Sequence, residues 1–195
     1  MNNISKNKRE ENSMNYIIVD LEATCEKNKK DFVNEVIEIG AVKIIGKESP
    51  MIVDTFCSFV KPIVNPVLTN FCKELTTITQ DDVDNANKFP VVIEDFKKWA
   101  GVGEEDYLIC SWGFYDKKQF IQDCKLHGLD KKWIEKRHIS LKHQHSEILG
   151  SRPMGMAKAL RKAGIKLEGT HHRGIDDARN ISKIFINYFE QWKLK

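Results

Sequence analysis

No stretch of this 195-residue chain approaches the roughly 20 apolar residues that a membrane-spanning helix requires. Nor does the N-terminus carry an apolar core of the secretory kind. No CxxC spacing occurs among Cys25, Cys57, Cys72, Cys110 and Cys124. Their odd number and scatter argue against a disulfide framework or zinc finger, and for reduced thiols in a cytoplasmic protein. Charge is nearly balanced: a net +3 is too small to announce nucleic-acid binding by itself. Gly101-Val102-Gly103 precedes a predicted strand instead of following one, so a dinucleotide-binding loop is absent. Repeats, low-complexity tracts and internal linkers are also missing.

What remains is an ordinary globular composition, 41% hydrophobic and 30% charged. Residues 1–14 are polar and charged and are expected to form a disordered extension, with Met14 as an alternative start. Residues 15–195 then read as a single α/β domain. Tyr16-Ile17-Ile18-Val19 opens a strand running to Glu22, and further strands are predicted over 36–45, 51–60 and 107–111. Helices are expected over 66–72, 80–86 (with Thr79 as N-cap), 89–100, 116–127, 154–163 and 174–192. The segment from His138 to His145 contains three histidines but no nearby cysteine, so it is expected to be a solvated loop, not a zinc site.

The chemistry concentrates on carboxylates. Asp20 and Glu22 end the first strand, and alternation puts both on one face, roughly 7 Å apart. Two acids at the end of a core strand repel each other and lose hydration. No Lys or Arg lies between Asn12 and Glu26 to offset this. A divalent metal would do so, as would a salt bridge to a distant cation. Asp116 follows a second apolar strand, where it is either a further ligand or a helix N-cap. On the last helix, Asp177 continues a stripe through Ile181, Ile184, Phe185 and Tyr188, whereas Asp176 aligns with Asn180, Lys183 and Asn187. Asp177 is thus the buried one; its alternative duty is to favour the helix N-terminus.

Four acids at the ends of two strands and two helices, with a nearby His, satisfy what a two-metal site needs. Two divalent ions roughly 4 Å apart can activate a water, bind a scissile phosphate and stabilise the leaving oxygen. Carboxylates suit Mg²⁺ or Mn²⁺. A His titrating near neutrality can take the proton of the water. His172 with Asp177 and His171 with Asp176 share one spacing; choosing Asp177 selects His172 and leaves His171 to solvent.

These residues carry a resemblance. YIIVDLEATC, EVIEIGAVKI, SWGFYD and HHRGIDDARNI, in that order, resemble the DEDDh branch of the DnaQ-like 3′→5′ exonucleases. The middle, SFVKPIVNPVLTNFCKELTTITQDDVDNANKF, resembles the subfamily of the histone-mRNA 3′-end and sporulation-inhibitor-like exonucleases. The resemblance implies an RNase H-like fold, a mixed five-stranded sheet flanked by helices. It implies that Asp20, Glu22, Asp116 and Asp177 hold two Mg²⁺ ions, with His172 as general base. The product would be nucleoside 5′-monophosphates released from an RNA 3′ end, or from single-stranded DNA. Leu21, Ala23 and Thr24 would line the terminal nucleotide's pocket, and Leu75 and Thr76 would lie near it, unless Leu75 is core. Arg173 stands beside the base as a candidate substrate contact. Trp112 is expected to pack beside its strand. Lys117, Lys118, Lys158, Arg161, Lys162 and Lys166 could follow a phosphate backbone, although most such residues only form a wet face. Two alternatives stay open: a DNA-trimming exonuclease, and a nucleic-acid-binding regulatory module without turnover.

Overall fold

The computed structural model describes residues 14–194 apart from Asn28 and Lys47. The extension expected over 1–14 lies, except for Met14, outside the described residues. Strands β1 (Asn15–Ala23), β2 (Val36–Ile45), β3 (Met51–Phe59), β4 (Tyr107–Ser111) and β5 (His138–Ser140) form a five-stranded sheet in the order β3-β2-β1-β4-β5. β1–β2 and β2–β3 pair antiparallel, whereas β1–β4 and β4–β5 pair parallel. Among the described residues are eight α-helices: α1 (Asn70–Thr76), α2 (Gln80–Asp84), α3 (Phe89–Ala100), α4 (Tyr115–Leu126), α5 (Lys132–Glu135), α6 (Leu141–Ile148), α7 (Met156–Lys162) and α8 (Gly174–Asn187). None is long and apolar enough to cross a membrane.

β1 is buried along almost its whole length because helices cover both its faces. Ile17, Val19 and Leu21 pack with Phe89, Phe96 and Phe120 against α3, α4 and α5. Tyr16 and Ile18 face the other way, into a cluster with Leu160, Ile181 and Phe185 from α7 and α8. Period-two alternation carries Asp20 and Glu22 onto this second face, beneath α8. A register irregularity falls between Glu22 and Ala23, beyond which Ala23 pairs with Val36.

Two glycines bring α8 onto the sheet. A β-carbon on Gly40 would lie 2.1 Å from the Gly174 carbonyl carbon, and one on Gly174 would lie 2.9 Å from the Asp20 carbonyl oxygen. Backbone therefore meets backbone, and the first turn of α8 is pressed against the end of β1.

Several boundaries differ from expectation. Thr69, not the Pro66 region, starts α1: its hydroxyl accepts the Cys72 N–H at 3.0 Å. Thr79 caps α2 as expected, in a reciprocal pair with Asp82. The last helix stops at Asn187, and Trp192 follows a 3₁₀ turn over Phe189–Gln191. The solvated loop expected over 138–145 is a correction of substance. His138–Ser140 forms the edge strand β5, and Leu141 and His145 are buried on α6. Three residues are too few for alternation to be visible, and the histidines conceal an amphipathic helix. His145 is a core residue, its ring 5.4 Å from Trp112 and 5.1 Å from Tyr188.

Candidate active site

Asp20, Glu22, Asp116 and Asp177 line one cavity of about 390 Å³ at the end of β1. Carboxylate oxygens of Asp20, Glu22 and Asp177 lie within 4.8 Å of one another. Asp116 reaches the same place from α4. It is not the N-cap, a position held by Phe114. Its Oδ1 instead accepts the Leu21 N–H at 3.1 Å, which ties the start of α4 to β1 between the two strand acids. Asp177 is 4% exposed, whereas Asp176 lies nearer the surface, paired with Arg179 at 3.4 Å and accepting the Thr170 N–H.

Among the described residues, no Lys or Arg forms an ion pair with Asp20, Glu22, Asp116 or Asp177. Three of these carboxyls, Asp20, Glu22 and Asp116, have pKa values raised above the ordinary carboxylate range. Burial, reinforced by Asp116, Glu22 and Asp177, pushes the Asp20 carboxyl well above the usual range. Burial and the neighbouring acids push Glu22 up to about 8. Asp116 rises to about 6 through burial, countered in part by hydrogen bonds from the Leu21 N–H and the Ser111 hydroxyl. An all-oxygen donor set held against its own repulsion fits hard divalent cations.

The histidines share Asp177. His171 Nδ1 lies 2.9 Å from Asp177 Oδ2, and the His172 N–H donates to the same oxygen at 3.0 Å. Their rings stack with centroids 4.0 Å apart. His171 is 45% exposed at its side chain, so it is both open to solvent, as expected, and engaged with the helix acid. His172 has φ +66°, in the left-handed region that costs a non-glycine residue about 1 kcal/mol or more. His171 and His172 both line the cavity. Burial and the adjoining His171 hold the His172 pKa below its ordinary value, against the pull of Asp177.

The remaining expected site residues divide. Leu21, Ala23 and Leu75 line the cavity; Thr24, Thr76 and Arg173 do not. The Thr24 hydroxyl accepts the Glu35 N–H at 2.9 Å, and the Thr76 hydroxyl donates to the Cys72 carbonyl. Arg173 turns away to Glu38, its Nε and Nη2 each 3.2 Å from a carboxylate oxygen, while its guanidinium lies over Phe59. Glu38 is a fifth acid that sequence reasoning missed. It is fully buried, opposite Glu22 in the β1–β2 register, and also accepts the Gly174 N–H at 2.9 Å. An acid among the apolar residues of EVIEIG, in a strand covered on both faces, was the available signal. Tyr115, Met156 and Trp112 also line the cavity. Trp112 packs on His145 as expected while its indole N–H donates to the Met154 carbonyl at 3.0 Å, holding the segment before α7.

A family model described as Exonuclease (RNase T type) matches residues 17–185. The chain belongs to this exonuclease family. Members of the family depend on divalent metal. The chain is 34% identical over 182 residues to 3'-5' exoribonuclease 1 of Rattus norvegicus, covering 89% of this chain and 52% of that protein. It thus spans about half the length of that relative. It is 34% identical over 174 residues to the probable 3'-5' exonuclease KapD of Bacillus subtilis, covering 87% of this chain and 82% of KapD. Among solved structures, the nuclease domain of 3'hExo, a DEDDh family member bound to rAMP, matches with a TM-score of 0.84 and 31% identity. That match covers 92% of this chain and 94% of the other. The fold is the RNase H-like fold of the DEDDh exonucleases, as the sequence motifs implied.

Proposed function

We propose that this protein is a 3′→5′ exoribonuclease that releases nucleoside 5′-monophosphates from the 3′ end of RNA. The observation that carries the reading is the carboxylate cavity: acids from β1, α4 and α8 converge, and among the described residues no Lys or Arg pairs with them. Asp20, Glu22, Asp116 and Asp177 would hold two divalent ions, Mg²⁺ with Mn²⁺ as a substitute. Bound there, the ions would polarise the scissile phosphate and lower the pKa of a water.

The chain's own residues supply the rest. His172 accepts the proton of the attacking water; its lowered pKa leaves the imidazole unprotonated, and able to do so, at neutral pH. His171 orients Asp177 through its 2.9 Å contact. Leu21, Ala23 and Leu75 present apolar surface to the terminal nucleoside, and nothing in such a wall selects a particular base sequence. RNA is favoured over DNA because the rat relative is named an exoribonuclease and the 3'hExo domain holds rAMP. One observation favours a second choice of base: the His171 ring, not the His172 ring, makes the hydrogen bond to Asp177.

The test is incubation with 3′- and 5′-end-labelled single-stranded RNA and DNA in Mg²⁺, Mn²⁺ or EDTA. Metal-dependent shortening from the 3′ end, faster on RNA, is expected. Faster shortening of DNA would overturn the ribonuclease assignment. Binding without cleavage in any metal would leave a regulatory module.

A further inference from the structure

Between Glu147 and Glu168 the chain has no acidic residue, yet it carries Arg152, Lys158, Arg161, Lys162 and Lys166. All five cations are exposed. The structure sorts this segment sharply. Met156, Ala159 and Leu160 on α7 face the core, and Met156 is also a wall of the acidic cavity. Lys158, Arg161 and Lys162, at i, i+3 and i+4, share the opposite face and by themselves line a shallow depression of about 330 Å³.

A solvated helix face would normally interleave acids, as α3 and α8 do. Lys97 pairs with Glu94 at 2.8 Å on α3, and Arg179 pairs with Asp176 at 3.4 Å on α8. Among the described residues, none of the five α7-segment cations forms an ion pair. Like charges at these spacings destabilise a helix. A polyanion laid along the face would remove that repulsion.

We propose that the outer face of α7 is a track for the phosphate backbone of a single strand whose 3′ end occupies the acidic cavity. This rests on the exonuclease reading for its direction. The row starts two residues beyond the cavity wall and extends about 6 Å along the helix axis, from Lys158 to Lys162. It therefore meets nucleotides upstream of the terminal one and leaves the reacting bond untouched. Recognition is by charge, without base readout.

The experiment uses the full chain carrying Asp20→Asn, so that binding is read without turnover, and an oligoadenylate of about 20 nucleotides. Affinity is followed across a salt series by fluorescence anisotropy. The variant K158Q/R161Q/K162Q is expected to bind at least about tenfold more weakly at low salt. Its log–log salt slope should be shallower by about 2, since each lost phosphate contact removes about 0.7. K158A/R161A/K162A, which keeps helix propensity, should behave alike. K98Q/K125Q/K132Q, an equal loss of charge on the opposite layer of helices, should bind like the parent. In the wild-type background, the α7 variants should hydrolyse a dinucleotide at the parental rate. An unchanged slope, or an equal loss in the opposite-layer variant, would overturn the track. A wild-type protein that shortens no nucleic acid would defeat the exonuclease reading instead, and the anisotropy result would still decide whether α7 binds phosphate.

Discussion

Two groups of buried acids lie within a few residues of each other in this fold and are treated in opposite ways. Glu35 and Glu38, at the start of β2, are completely provided for. Glu35 accepts backbone N–H groups from Ile63, Val64 and Asn65, at 2.7–3.0 Å. Glu38 takes the Arg173 guanidinium and the Gly174 N–H. Asp20 and Glu22, on the neighbouring strand, receive no Lys or Arg among the described residues. The lesson is that burial of an acid says little by itself. What separates a structural acid from a functional one is whether the protein supplies its counter-charge or leaves that to something it binds.

Substitution breaks the comparison most severely at the unprovided group. Asp20→Asn should cut hydrolysis by about 10³-fold or more, several kcal/mol of barrier, with the thermal midpoint unchanged or raised. Wild-type turnover in that variant would remove Asp20 from the site. At the provided group the loss should appear in stability instead. Arg173→Met strands the Glu38 charge and should cost about 3 kcal/mol in urea unfolding, with residual activity at low temperature. An unaltered midpoint together with weakened substrate binding would return Arg173 to the role of substrate contact.

The histidine pair sharpens the assignment within the cavity. His172→Ala should lose about 10²-fold in turnover near neutral pH, and His171→Ala considerably less. The reverse order, measured on the same labelled RNA, would exchange their roles. The smallest expected effect is on pH-dependent stability. Folded pKa values of about 8 for Glu22 and about 6 for Asp116 lie above the ordinary 4.5 and 3.8. Their contribution is fully present below about pH 4 and is lost as pH rises through 6 to 8. In EDTA the melting temperature should therefore fall by a few degrees between pH 5 and pH 8, from these groups alone. Mn²⁺ should restore it at pH 8, and a flat profile in EDTA would mean that the acids do not strain the fold.

Much of this contrast was legible before any coordinates. Alternation along β1 put Asp20 and Glu22 on one face, and the wheel of α8 separated Asp177 from Asp176. Both are short-range geometric rules, and the ordered motifs did the rest by resemblance. The Glu38–Arg173 pair was not legible, because it joins residues far apart in sequence and no periodicity encodes that meeting. For the same reason Arg173 was read as a substrate contact. Asp116 was read as either a further ligand or a helix N-cap, but its bond to the Leu21 N–H was not visible, since that depends on β1 and β4 being neighbours. β5 was lost to its brevity, and α6 to histidines that look polar but include a core residue.

The backbone contact between Gly40 and Gly174 has a mechanical consequence. The cavity takes acids from the sheet, from α4 and from the terminal helix, and the gap between the sheet and the terminal helix is gauged by bare α-carbons. With a β-carbon on Gly40 2.1 Å from the Gly174 carbonyl carbon, even alanine would act as a wedge. Asp177 would back away from Asp20 and Glu22 although no acid had been altered. The calibration of the site thus resides in two positions that have no side chain.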